Sequence, residues 1–411
     1  MRDTGSEERP FRRRVFYIPG YDPIHPRRYR ELYRKEGAAQ AALSGYELAL
    51  RPRQGGGRYG WHVSTRMEDR ATEAEIEVLV WSDIVRGSMG ASIPATYLQL
   101  LRTAWAYIGS GALFRLMRLR KGPIIAALYP IVALLAQMAL ALLVGLGLWR
   151  GMAALIPGGV ANAAGAALGL AAGALILRWF QRNDARFYAY YLMHDYAYSA
   201  QAGGANPPEL EARMADFGRQ IAAALQGSCD EVLVVGHSSG AHLAVSILAD
   251  LVRQGLPPDA PPLSLLTLGH VVPMVSFLPE ARRLRGDLAF LSARPEVTWV
   301  DVTAPGDGCA FALCDPVRVT GVAPPDQRWP LIFSAAFTQT LRPETWASLK
   351  RRYFRLHFQY LCAFDNLPGQ DWDYDYFRIS AGPRTLAARF AARPPSKSRI
   401  DRAANRFTSV A

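Results

Sequence analysis

The chain has 411 residues, a formal net charge of +12 and four cysteines. This length suits one large α/β domain with an insertion, or two domains. The cysteines are scattered without a Cys-x-x-Cys pair, which argues against a disulfide framework or a zinc site; they are Cys229, Cys309, Cys314 and Cys362. The basic excess predicts an anionic partner. No nucleic-acid-binding motif is present, so a membrane surface is the expected partner and nucleic acid is not.

The first predicted element is a buried strand at residues 14–18, which ends at Pro19-Gly20-Tyr21. Residues 1–14 are charged and lack the apolar core of a secretory signal, so we expect the N-terminus to stay in the cytoplasm. The next predicted elements are a helix at 26–43, a hairpin of strands 46–50 and 61–66 around Gly55–Gly57, and a buried strand at 76–81.

A long insertion separates these strands from the next strongly apolar strand. Residues 123–149 carry no charge, and as a helix they would extend about 40 Å, against a hydrocarbon core of about 30 Å. We therefore predict transmembrane helices at about 123–149 and 155–177. The second is richer in alanine and glycine, so a core helix of a soluble domain is its alternative. Its Gly165, Gly169 and Gly173 predict a smooth face for close packing on the first span.

The distribution of basic residues gives the expected orientation of this hairpin. Basic side chains crowd its two outer flanks, whereas the connecting loop has only Arg150. Both flanks should therefore be cytoplasmic. An even number of spans also allows strands on both sides of the insertion to join one sheet. We expect an integral protein of a bacterial inner (plasma) membrane, with its main domain in the cytoplasm.

The strongest motif is Gly236-His237-Ser238-Ser239-Gly240, which follows the apolar run 231–235 and precedes a helical pattern. Strand, sharp turn and helix in this order hold a serine at the top of a sheet with its hydroxyl exposed. We predict Ser238 as a nucleophile; a structural serine in a tight turn is the alternative. The backbone N–H groups of Ser239 and Tyr21 are the predicted oxyanion hole, unless the Pro-Gly loop is an ordinary turn.

A nucleophilic serine needs a base and a carboxylate that orients the base. Of the three histidines after Ser238, only His357 has a strand-end acid upstream. His242 is expected to pack within the helix after the serine, and His270 has only Asp250 and Asp259 between it and Ser238. We predict His357 as the base; a buried core histidine is the alternative.

The carboxylate is expected after the second of two further predicted strands, 263–268 and 297–302. Asp307 lies on the loop beyond the carboxyl end of strand 297–302, where ligands of such sheets gather. Asp301, inside the strand, is the second candidate, and Asp315 is the third.

Four segments together resemble the α/β-hydrolase superfamily and, within it, the lipase and esterase branch: Gly236–Gly240, Ile18-Pro19-Gly20-Tyr21, Pro305-Gly306-Asp307 and His357-Phe358-Gln359-Tyr360. The resemblance implies the α/β-hydrolase fold, a mostly parallel sheet with helices on both faces. Its triad order of serine, acid and histidine matches Ser238, Asp307 and His357. The departure is the two-helix transmembrane hairpin, where relatives more often carry soluble helices.

The resemblance implies a membrane-anchored serine hydrolase that cleaves carboxylic ester or thioester bonds through an acyl-enzyme, with lipids among the candidate substrates. It implies no cofactor and no metal. A noncatalytic membrane scaffold that retains the fold is the alternative function.

The expected organisation has four parts. Residues 1–86 and 187–381 form the two halves of the hydrolase domain, the second containing the serine motif. Residues 87–186 form the membrane insertion, in which 93–119 predict either a membrane-surface helix or a lid over the catalytic cleft. Residues 382–411 are expected to be a flexible basic tail.

Overall fold

The computed structural model describes residues 9–53, 58–156, 158–365 and 374–411. Its strands are β1 Phe11–Ile18, β2 Glu47–Pro52, β3 Gly60–Met67, β4 Arg70–Val78, β5 Glu231–His237, β6 Leu263–Leu268, β7 Val297–Thr303 and β8 Leu331–Ser334.

The α-helices up to the central strand β5 are α1 Arg27–Ser44, α2 Ser82–Ser88, α3 Ile93–Gly109, α4 Ala112–Leu116, α5 Lys121–Leu155, α6 Gly159–Arg182, α7 Asp184–Phe187, α8 Ala189–Ala200 and α9 Pro208–Leu225. The later ones are α10 Gly240–Gln254, α11 Val272–Ser276, α12 Arg282–Ser292, α13 Pro316–Thr320, α14 Phe337–Thr340, α15 Pro343–Leu349, α16 Tyr353–His357, α17 Tyr376–Ala381 and α18 Leu386–Phe390.

The strands form one sheet in the order β2-β3-β4-β1-β5-β6-β7-β8. Strand β1 pairs in parallel with both β4 and β5, and β5 to β8 continue in parallel, whereas β3 is antiparallel to its two neighbours. The predicted α/β class with a mostly parallel sheet is therefore confirmed. After β1 the chain crosses to the edge strand β2 and returns through β3 to β4, beside β1, whereas after β5 it continues outward through β6 and β7 to β8. Loops after two such strands border a crevice in which ligands of α/β sheets bind.

The two faces of the sheet carry two separate cores, because side chains alternate along each strand. On β5, Leu233 and Val235 belong to one core and Val232 and Val234 to the other. Every residue of β5 and β6 is buried, as expected for central parallel strands covered by helices on both faces. The central strands are thus packed on both faces, and they carry the loops at the carboxyl end of the sheet.

Several elements differ from the sequence-based prediction. Strand β1 begins at Phe11, and β4 covers Arg70–Val78 rather than 76–81. Strand β8 was not predicted at all. The expected strand pair 46–50 and 61–66 is present as β2 and β3, while its turn at Gly55–Gly57 lies outside the described residues.

The insertion between β4 and β5 contains two helices, α5 and α6, that are long and apolar enough to cross a membrane. Only 17% and 11% of their most apolar windows are buried, so most of their apolar surface faces outward. Their glycines meet: a Cβ on Gly145 would lie 2.7 Å from the carbonyl oxygen of Gly169. Gly165 and Gly173 also face α5, so the glycine face packs on the first helix as predicted.

Helix α8 connects this pair to the α/β domain. It packs against both α3 and α5, in a small apolar cluster that includes Leu100, Leu134, Tyr190 and Met193. On α3 the opposite side is exposed and apolar; it consists of Leu98, Leu101, Trp105 and Ile108. Helix α3 is therefore amphipathic, with one side on the protein and one side open.

The C-terminal segment differs from the expected flexible tail. Ser396 N–H donates to the Ile332 carbonyl of β8 at 2.8 Å, and Ile400 N–H donates to Leu313 at 2.7 Å. Arg285 is buried and donates to the Ser409 carbonyl at 2.7 Å. These hydrogen bonds anchor the segment along the surface of the α/β domain.

Candidate active site

Ser238 occupies a strained turn between β5 and α10. Its φ is 57°, a left-handed value that is uncommon for residues other than glycine. Its N–H donates to the Leu268 carbonyl at 2.9 Å, and its carbonyl accepts from Ala241 at 3.1 Å. Ser238 is partly exposed between the buried His237 and Ser239. This is the geometry expected of an elbow that presents a serine hydroxyl at the top of a sheet.

Glycines allow the backbone to close around this turn. A Cβ on Gly236 would lie 2.6 Å from the Gly240 carbonyl oxygen, so a side chain there would separate strand and helix. Gly20, after β1, approaches from the other side: its Cβ would lie 2.8 Å from Cβ and 3.3 Å from Oγ of Ser238. The Pro19-Gly20-Tyr21 loop therefore borders the serine hydroxyl directly.

Asp307 and His357 form a buried hydrogen-bonded pair. His357 Nδ1 lies 2.7 Å from Asp307 Oδ2, and Tyr360 Oη donates to the same oxygen at 3.0 Å. The Cys309 N–H donates to the other carboxylate oxygen at 2.9 Å. Burial alone would raise the pKa of Asp307, but the charge of His357 and these hydrogen bonds lower it below its usual value. The carboxylate is thus held ionised and oriented toward the imidazole.

The other two candidate acids have different partners. Asp301 is buried inside β7 and accepts a hydrogen bond from Thr267 Oγ1 at 2.6 Å. Asp315 caps helix α13 by accepting from the N–H groups of Val317 and Arg318. Of the three acids considered from the sequence, Asp307 is the one hydrogen-bonded to His357.

His357 is placed next to the serine by the segment after β6. Ser238 N–H bonds to Leu268, and the next residue, Gly269, lies against the imidazole, since a Cβ there would be 3.1 Å from His357 Cε1. A φ of 53° and this contact both favour glycine at position 269. His357 Nε2 is buried and has no hydrogen-bond partner among the described residues. This is the nitrogen that would accept the proton of Ser238. In structures without substrate, the hydrogen bond between a nucleophile and its base is often long or poorly aligned, and it tightens when substrate binds.

His237 is a positioning residue that the sequence reasoning missed. Its Nε2 donates to the His357 carbonyl at 2.9 Å, and the two rings pack with centroids 4.8 Å apart. Burial, followed by the nearby His357, lowers the pKa of His237 to about 3, so its ring is neutral. The available signal was its position directly before the nucleophile. Tyr360, through its bond to Asp307, was likewise given no role.

The two predicted oxyanion residues line one small cavity. Ser239 is buried at the start of α10, and Tyr21 follows β1. The Tyr21 hydroxyl is 2.5 Å from Ser88 Oγ, and its carbonyl accepts from the Tyr191 hydroxyl of α8. The Trp81 indole N–H donates to Pro19 at 2.9 Å. These contacts fix the loop that carries the Tyr21 N–H.

His270, another histidine considered from the sequence, has a partner of its own. It is buried, with Nε2 3.0 Å from the Cys314 carbonyl oxygen.

Three side chains around the Asp307–His357 pair could in principle bind a metal ion. Asp307, Cys309 and His357 offer ligand atoms within 4.8 Å of one another. However, Asp307 Oδ2 already accepts two hydrogen bonds, and burial raises the pKa of Cys309 well above its usual value. A protonated thiol is a poor metal ligand, so this donor set fits an acid–base pair better than a metal centre.

Comparison with known proteins found no matching protein family, curated protein or solved structure. A functional assignment must therefore come from the geometry and chemistry of the site.

Proposed function

We propose that the chain is a membrane-anchored serine hydrolase of the α/β-hydrolase type that cleaves carboxylic ester or thioester bonds. The observation that carries this proposal is the buried Asp307–His357 pair beside the strained Ser238. Ser238, Asp307 and His357 follow three separate strands, β5, β7 and β8, at the carboxyl end of the sheet, which supports the proposed roles of nucleophile, acid and base. A serine held in a structural turn would need neither an exposed hydroxyl nor this pair.

The chemistry follows from these positions. Ser238 Oγ attacks the carbonyl carbon of the substrate while His357 Nε2 takes its proton. Asp307 accepts the Nδ1 hydrogen bond and stabilises the imidazolium. The N–H groups of Tyr21 and Ser239 stabilise the oxyanion of the tetrahedral intermediate. His357 then gives its proton to the leaving alcohol or thiol, and water releases the acyl group from Ser238 by the same steps in reverse order.

Helices α5 and α6 are the proposed membrane anchor, with the α/β domain on the cytoplasmic side of a plasma membrane. The exposed side of α3 supports its role as a surface helix, because Leu101 and Trp105 are 65% and 78% exposed. Basic residues adjoin this region at Arg102, Arg115, Arg118 and Lys121, where they can contact anionic headgroups. Substrates that partition into the bilayer, including lipid esters, then reach the cleft from the membrane surface.

A fluorophosphonate probe tests this function, because it labels a serine only where a base activates it. We expect the wild type to be labelled and Ser238→Ala not to be labelled. Ser228→Ala, an exposed serine in the loop before β5, is the matched control and should keep the label. Equal melting temperatures of all three proteins in detergent would exclude misfolding. If the folded wild type neither reacts nor hydrolyses any ester or thioester, the noncatalytic scaffold becomes the better account.

A further inference from the structure

The small cavity beside Tyr21 and Ser239 is lined by several polar side chains that the proposed triad does not use. They include Asp195, from α8, and His242, in the first turn of α10. Aromatic rings of Trp81 and Tyr198 enclose the cavity. It has room for a group of about the size of a water molecule, so it fits a substituent of a substrate rather than a whole headgroup.

Asp195 has no hydrogen-bond or salt-bridge partner in the part of the chain that the structure describes. It is only partly exposed, and burial raises its pKa to about 7, with His357 opposing that rise. Asp195 therefore interacts electrostatically with His357. It also raises the pKa of Tyr21 and Tyr191, and with Tyr21 it lines the cavity.

His242 was expected to be a packing residue, yet its Nδ1 is buried without a partner among the described residues. The side chain is 8% exposed, and burial lowers its pKa to about 4, so the ring is neutral. Buried polar groups in folded proteins nearly always have a partner, and leaving one unpaired is costly. His242 Nδ1 is such a buried group, and so is the Tyr198 hydroxyl on the same cavity. The carboxylate of Asp195 is not fully buried, so it stays open to a hydrogen bond from a ligand group that enters the cavity.

The position of the cavity indicates which part of the substrate enters it. The leaving oxygen must lie at His357 Nε2, because His357 protonates it. The cavity is bounded by the oxyanion residues Tyr21 and Ser239 instead. Because the carbonyl oxygen faces the N–H groups of Tyr21 and Ser239 and the leaving group faces His357, the acyl side is the part of the substrate that remains to enter the cavity. A carboxylate offers only acceptors, whereas a neutral imidazole offers one donor and one acceptor nitrogen. The group that binds Asp195 is therefore a hydrogen-bond donor, and His242 can pair with either kind of group.

We propose that Asp195 and His242 form a subsite that binds a hydroxyl or ammonium group on the acyl part of the substrate, near the carbonyl carbon. This inference rests on the proposed serine hydrolase function and specifies its substrate class. Asp195 acts on specificity: it holds the substituent and so orients the carbonyl group in front of Ser238. A trimethylated ammonium group is too large for the cavity and has no N–H to donate, so it is excluded.

The test compares p-nitrophenyl esters of butyrate, β-hydroxybutyrate and β-aminobutyrate on the full-length protein in detergent. The readout is the ratio of kcat/KM for each substituted ester to that for butyrate. In the wild type we expect a ratio of about ten or more, since a hydrogen bond to a charged group contributes about 1.5–3 kcal/mol. In Asp195→Leu the ratio should fall toward one. Asp195→Asn should keep more of the hydroxyl preference than of the ammonium preference.

Glu209→Gln is the matched control, because it removes an exposed carboxylate of the neighbouring α9 that does not line the cavity. Its ratios should equal those of the wild type. Ethyl and hydroxyethyl butyrate, which differ only on the alcohol side, should show no effect of Asp195. Wild-type ratios near one, or ratios unchanged in both Asp195 variants, overturn the subsite while hydrolysis of butyrate upholds the enzyme. If no ester is cleaved and the fluorophosphonate does not label Ser238, both proposals fall.

Discussion

The imidazole of His237 donates a hydrogen bond from Nε2 to the backbone carbonyl of His357 at 2.9 Å, and the two rings pack at a tilt of 35°. The residue before the proposed nucleophile thus fixes the backbone of the proposed base. Through this bond His237 can act on the reaction without contacting the substrate itself.

We predict that His237→Phe lowers kcat by about tenfold or more with little change in KM. Phenylalanine keeps the ring packing but leaves the His357 carbonyl without its donor, at a cost of about 1–3 kcal/mol. His237→Gln, which retains an N–H donor, should recover part of kcat. Steady-state kinetics of the two variants measure the difference. Equal kcat in His237→Phe and wild type would show that this bond does not position the base.

Asp307→Asn is predicted to reduce kcat by about 10⁴, the effect of replacing the orienting acid in a serine triad. The amide cannot stabilise the imidazolium, and the buried pair loses its charge complementarity. Asp301→Asn tests the second acid considered from the sequence. Because Asp301 bonds to Thr267 and not to His357, that variant should retain most activity. The opposite ranking of the two variants would assign the orienting role to Asp301.

The strained turn at Ser238 and the pairing of Asp307 with His357 could be anticipated because their signals are local. A strand followed by turn residues predicts the first, and the position of Asp307 beyond a strand end, upstream of His357, predicts the second. The contributions of His237 and Tyr360 depend on loops that are distant in sequence. No periodicity or motif reports which backbone carbonyl a buried histidine will face.

Strand boundaries were harder to predict where charged residues are buried. Arg13 lies inside β1 and forms a fully buried ion pair with Glu231 of β5. In sequence such a residue is typical of a loop, so the predicted strand began too late. Strand β4 carries Glu73, Glu75 and Glu77, of which the last two pair with arginines. Long-range pairing, which a single sequence does not reveal, makes these positions compatible with a strand.

Close packing of α5 on α6 should depend on Gly145. Its Cβ would lie 2.7 Å from the Gly169 carbonyl oxygen, so Gly145→Val forces the helices apart. We expect a loss of about 1–3 kcal/mol, typical of overpacking, seen as a lower apparent melting temperature in detergent. Gly147→Val is the control, because a Cβ at Gly147 meets nothing within 4 Å. If both variants melt alike, the contact between the two glycines does not stabilise the pair.

The membrane topology predicts different accessibility at the two ends of the anchor. Ala154 is exposed at the end of α5, and Ser398 is exposed near the C-terminus. A cysteine at Ala154 should react with an impermeant thiol reagent added to intact cells, whereas one at Ser398 should react only after lysis. The parent protein, with its four native cysteines, gives the background. The reverse pattern would invert the orientation, and no labelling at Ala154→Cys in cells would favour a helix pair that does not cross the membrane.

Asp195 should make stability depend on pH in a predictable direction. Its pKa is about 7 in the folded protein and about 3.9 for an ordinary aspartate. Between these values the unfolded chain loses the proton while the folded chain keeps it, so ionising this carboxyl opposes folding as pH rises. Asp195→Asn removes the effect. Its melting temperature relative to wild type should therefore be higher at about pH 8 than at about pH 4. A constant difference between Asp195→Asn and wild type would mean that Asp195 titrates alike in the folded and unfolded chains, which would contradict an unpaired carboxyl in the cavity.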